Sequence, residues 1–123
     1  MLLIALLLAA APANCADPQT QADMTQCAGS AAQRADAAMT RQWNATYAYM
    51  KRRDAQDTSR GGGFGYAPAL LASQRAWLKF RDTQCVIEGG EFADGSAQPM
   101  AQAQCKARLS EARTAQLRGL IWK

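Results

Sequence analysis

A chain of 123 residues carrying a formal net charge of +4 fits one domain with a modest core. It contains no histidine, which removes Ser-His-Asp and Cys-His catalysis and the usual metalloenzyme ligand sets. One Val and three Ile stand against abundant Ala, Gln, Arg and Leu, so helix is favoured over sheet and an all-α class is expected.

Met1 to Ala11 is almost uninterrupted Leu and Ala. The run is too short to span a bilayer, and Ala11-Pro12-Ala13 supplies small residues at the spacing signal peptidase requires. Residues 1–13 therefore read as a secretion signal and 14–123 as the mature domain, periplasmic or secreted. No lysine or arginine precedes the apolar run. Lipid anchoring on Cys15 is the weaker reading, because Pro12 and Asn14 stand where a lipobox places a large aliphatic and a small residue. A disulfide is the better use of that thiol. Four dispersed cysteines beside an export signal suggest two staples, and a zinc site would want close CxxC pairs or histidines. The expected pairs are Cys15 with Cys27 and Cys85 with Cys105, one of three complete connectivities. No cofactor is implied.

Thr20 and Asp23 have the form of a capping box that starts a helix from about Gln21 to Arg53. Met24, Cys27, Ala31, Ala35, Met39, Trp43, Thr46 or Tyr47, and Met50 give it one apolar face. Lys51-Arg52-Arg53 suits the negative end of the helix dipole, and in an exported protein that reading displaces a nucleic-acid patch. Asn44-Ala45-Thr46 matches a glycosylation sequon but falls inside this helix.

From Asp54 to Tyr66 the composition cannot sustain a helix, and Ser59-Arg60-Gly61-Gly62-Gly63-Phe64-Gly65 predicts a long flexible loop. The Lys-Ser or Lys-Thr of a phosphate-cradling loop is missing. Phe64 and Tyr66 on such a loop are candidate partner contacts.

Pro68 fits the first turn of a second helix that continues to about Glu88 and ends at Gly89-Gly90. Leu70, Leu71, Gln74, Trp77, Leu78, Arg81 and Cys85 recur at steps of three and four, placing leucines, an indole, a guanidinium and a thiol on one face. A half-buried arginine needs an acceptor, so the stripe implies a partner helix. A connection through Glu91 to Ser96 follows, with Ser96 as the cap of a third helix from about Gln98 to Trp122 and Pro99 at its first position.

Helices two and three should form a hairpin. Antiparallel pairing through Cys85 and Cys105 sets Arg81 near Leu109, Leu78 near Ala112, Trp77 near Arg113, Gln74 near Gln116 and Leu70 near Leu120. Arg81 would then reach Glu111, Asp82 would reach Arg108, and Arg113 would lie over Trp77. The architecture expected is a three-helix antiparallel bundle, or a hairpin plus a long helix, stapled by two disulfides.

The order of these pieces carries a resemblance. Cysteine, QTQADMTQC, the QRAWLKFRDTQC helix, a Gly-Ser connection, then CKARLSEARTAQLR resembles the LprI-like family of small exported bacterial proteins, over nearly everything from Cys15 to Leu120. The family is named for a mycobacterial lipoprotein lysozyme inhibitor. Trp77, Arg81, Asp82, Cys85, Cys105, Glu111 and Arg113 match its motif, and the resemblance implies scaffold roles for them. It also implies an envelope protein that binds and blocks a lysozyme or related muramidase.

Animal c-type lysozymes are strongly basic, and so is this chain. Inhibition would then rest on a local acidic site such as Asp82, Glu88, Glu91 and Asp94, or on aromatic contacts. The alternative is a non-catalytic envelope module that binds an anionic cell-wall polymer or a protein partner. Asp82 and Glu111 as a glycosidase pair are disfavoured, since a ready arginine beside each would hold it ionised.

Overall fold

The computed structural model describes residues 13–59 and 61–122, so the expected leader up to Pro12 lies outside the described residues. Three helices follow in chain order: α1 (Gln21–Gln56), α2 (Tyr66–Gly89) and α3 (Gln98–Gly119), with a single 3₁₀ turn, Gly90–Phe92, between the last two. At 1.5 Å per residue α1 is about 54 Å long, and α2 and α3 are each roughly 35 Å.

Thr20 starts α1 as expected, its hydroxyl accepting the Asp23 N–H at 3.0 Å. The helix outruns its expected end by three residues, to Gln56. Its fully buried residue at the ambiguous position is Thr46, whose hydroxyl donates to the Leu117 carbonyl at 2.9 Å. Tyr47 instead stacks on Trp43, ring centroids 5.1 Å apart. The sequon thus ends on a buried threonine.

Helix α1 runs parallel to α3, since Gln21 reaches Met100 at one end and Thr46 reaches Leu117 at the other. Helix α2 runs antiparallel to both, as the short connections require. The bundle has two unlike ends. Toward the C-termini of α1 and α3, Met39, Met50, Leu70 and Leu117 form the core, with Trp43, Tyr49, Tyr66, Trp77 and Leu120 packed around it. At the opposite end the buried residues are small: Ala28, Ala35, Ala107 and the Cys85–Cys105 disulfide. Little apolar area is removed from water there, so the covalent link supplies what packing does not. Gly89 belongs to this end and is buried, and a Cβ there would strike the Gln102 side chain.

Both disulfides form as expected, Cys15–Cys27 folding the leading segment back on α1 and Cys85–Cys105 closing the hairpin. The hairpin register holds to within a turn: Arg81 reaches Ser110 and Gln74 reaches Arg113. Four details differ. Helix α3 ends at Gly119, short of the expected Trp122. The cap of α3 is Ala97, without a side-chain hydrogen bond, rather than Ser96. Gly90 stays right-handed and leads into the 3₁₀ turn instead of stopping the chain in a left-handed conformation. The Gly-rich connection, shortened to residues 57–65, is tied down by Asp57, which accepts the N–H groups of Ser59 (2.9 Å) and Phe64 (3.3 Å). Gly63 sits at φ +85°, and any side chain there would collide with Asp57.

Candidate functional site

Three of the motif residues, Trp77, Arg81 and Arg113, meet in one polar seam between the helices. Trp77 is half-buried, with the Arg81 and Arg113 guanidinium carbons 5.6 and 5.8 Å from its ring centroid. The two cations differ in how they are satisfied. Burial opposes the charge of Arg81, but hydrogen bonds to Asp36 (2.7 Å) and Asp82 (3.0 Å) outweigh it and raise its pKa. Arg113, 8% exposed, donates to the neutral oxygens of Gln74 (2.9 Å), Ser73 (3.0 Å) and Gln116 (3.3 Å), and burial lowers its pKa.

Two expected ion pairs are replaced. The acid facing Arg81 comes from α1, as Asp36, and the exposed Glu111 forms no ion pair among the described residues. Arg108 pairs with Glu88 rather than Asp82, because Asp82 faces outward and is held by its neighbour Arg81. Equal height along a helix pair does not guarantee the same side of the circumference. The seam is internally satisfied: no buried side-chain nitrogen or oxygen among the described residues lacks a partner.

The candidate contacts lie elsewhere, at the two ends of the bundle and separated by the length of α2, about 36 Å. At the hairpin end, Val86, Ile87 and Phe92 are exposed, Ile87 at 70%, and Phe80 lies two turns before Ile87 on the same helix face. Ile87, Phe92, Glu91 and the Glu88–Arg108 pair line a hollow of about 380 Å³. Glu91 and Asp94 are exposed and form no ion pair among the described residues. Asp94 adopts a left-handed φ of 63°, a turn conformation that aspartate tolerates.

At the loop end, Phe64 is 72% exposed and its ring lies 4.6 Å from that of Tyr66, which in turn meets Trp122 edge-on at 5.8 Å. Arg53 of α1 packs over Tyr66 (5.0 Å), Trp122 (5.1 Å) and Tyr49 (5.9 Å), and it donates to the Tyr49 hydroxyl at 3.2 Å. The Tyr49 hydroxyl donates onward to the Trp122 carbonyl. Sequence reasoning singled out Phe64 and Tyr66 here but missed Tyr49, Arg53 and Trp122. The signal available was weak: Tyr49 and Arg53 stand four apart on one helix face, whereas Trp122 joins them only through the fold.

Among the described residues, no helix is long and apolar enough to cross a membrane, and no group of three or more acidic, sulfur or imidazole ligands is placed to hold a metal ion. No solved structure gives a significant match. An uncharacterized protein of Rhizobium meliloti (strain 1021) is 34% identical over 124 aligned residues, covering 94% of this chain and 89% of that one. Residues 13–117 match the family described as lysozyme inhibitor LprI. With the three helices, the two staples and the Trp77 seam all inside that match or at its edge, the chain belongs to the LprI family.

Proposed function

We propose that the protein is exported and acts as a non-catalytic inhibitor of a basic lysozyme, which it engages through the hairpin end. The observation that carries this reading is that exposed Ile87 and Phe92 line one hollow with the Glu91 carboxylate, unpaired among the described residues, and the Glu88–Arg108 pair, with Val86 and Asp94 exposed nearby in the chain. An apolar centre with a polar rim is how protein interfaces are built, and a rim of acids suits a cationic partner. The chain is basic as a whole, so this local acidity gives it a face that a basic lysozyme can approach. The Cys85–Cys105 link fixes the hairpin before binding, which lowers the entropy lost on association.

The test is a lysis assay on a peptidoglycan suspension with mature protein titrated against a panel of lysozyme types, alongside binding by calorimetry. Inhibition should be stoichiometric and weaken as salt rises. The double variant I87A/F92A should lose affinity, and E91K/D94K should lose it further for the more basic lysozymes. Absence of inhibition across the panel would overturn the reading, as would inhibition indifferent to both double variants.

A further inference from the structure

The loop end has a chemistry that the inhibitor reading leaves unused. We infer that it is a second binding site, for an uncharged pyranose glycan bearing acetamido groups, built around Tyr66 and Trp122. Two hollows share Tyr66 in their walls. One, of about 420 Å³, is polar and is lined by Tyr49, Arg53, Gln56 and Asp57. The other, of about 290 Å³, is apolar and is lined by Phe64, Tyr66, Leu120 and Trp122 among others.

A sugar ring presents C–H faces that pack on aromatic rings and hydroxyls that both donate and accept. Exposed aromatic surface is here: Phe64 and Trp122 are both exposed, flanking a Tyr66 ring that is packed against Phe64 and Arg53. So are both polarities of hydrogen bonding. Arg53 spends one donor on Tyr49 and retains others. The hydrogen bonds from Ser59 and Phe64 hold Asp57 below the usual carboxylate range, so it stays ionised as an acceptor. Gln56 offers an amide. An acetamido group divides in the same way, its amide directed to the polar hollow and its methyl to the apolar one.

The polar hollow sets the Asp57 carboxylate against the single Arg53 guanidinium, which leaves no net positive charge to hold an anionic polymer. Asp57 stands in the polar hollow, and the negative end of the α1 dipole points toward it. The positions are also held in advance. Arg53 is clasped by three rings, and the loop carrying Phe64 is anchored through Asp57, so little ordering remains to be done when a ligand arrives.

The experiment titrates the mature protein with N-acetylglucosamine hexamer, with glucose hexamer and with poly-L-glutamate, following tryptophan fluorescence and two-dimensional NMR shifts. No lysozyme is present, so failure here leaves the inhibitor reading standing, and failure of inhibition leaves this one standing. The acetylated hexamer should perturb Phe64, Tyr66 and Trp122 and bind more tightly than the glucose hexamer. F64A and W122A, both exposed positions, should each weaken it roughly three- to tenfold, while I87A should not. Circular dichroism confirms that each variant is folded. Absence of any shift with the acetylated hexamer would overturn the proposal. So would equal binding by F64A/W122A, or a preference for the polyanion.

Discussion

Asp54, in the last turn of α1, caps the start of α2 from across the loop: its two carboxylate oxygens accept the N–H groups of Tyr66 and Ala67, each at 2.8 Å. The residue at the cap position itself is Gly65, at φ +81°, and it has no side chain to offer. A cap that sequence proximity would normally supply is delivered by another helix, so it also fixes how α1 and α2 meet.

Replacing Asp54 should therefore cost more than a local cap. D54A should destabilise the fold by about 1–2 kcal/mol, and D54N by less, because one amide oxygen can still accept. Urea denaturation measures both. Equal stability of D54A and the parent would show that the two hydrogen bonds contribute nothing net.

Asp57 makes the loop acid-sensitive. Hydrogen bonds from Ser59 and Phe64 lower its pKa from the ordinary 3.8. The folded-state value is depressed, so the stabilisation is fully present above the unfolded value and is lost as pH falls through the folded one. Carboxyl NMR should show Asp57 titrating below 3.8, with the Phe64 amide losing protection over that same acid range. At neutral pH neither should change. D57N should abolish the acid step.

The Arg81–Asp36 pair tests the placement of α1 on the hairpin. Arg81 is largely buried and Asp36 half-exposed, at 2.7 Å. A double-mutant cycle between R81A and D36A should give a coupling of about 1 kcal/mol, at the upper end for ion pairs reaching solvent. The corresponding cycle between R81A and E111A should give none, since Glu111 is exposed and forms no ion pair with Arg81. Coupling to Glu111 instead of Asp36 would require α1 to sit elsewhere.

The two disulfides should not be equivalent. They span 12 and 20 residues, so each is worth about 3 kcal/mol in the chain-entropy account. Cys85 and Cys105 are buried, at an end otherwise packed with alanine, whereas Cys15 is exposed on a segment outside the core. Replacing both hairpin cysteines by alanine should cost at least the full term. Replacing Cys15 and Cys27 should cost less, because the released segment regains freedom in the folded state too. Thermal melts of the two double variants decide the order.

The sequence by itself determined what is local or covalently bounded. Periodicity of three and four set the helical faces, Thr20 set the start of α1, and the spacing of Cys85 and Cys105 across one short connection set the hairpin register to within a turn. It determined the family too, because the order of the motifs survives whatever the packing does. The rotation and height of α1 against the hairpin were decided only by tertiary structure. Neither disulfide links α1 to α2 or α3, and the glycine-rich connection permits many approach angles. Everything that depends on that one placement was invisible in the chain: Asp36 rather than Glu111 facing Arg81, Asp54 capping α2, and Arg53 closing against Trp122. A helix's own pattern states which side is buried, but the partner is chosen by where a second surface fills that side most closely.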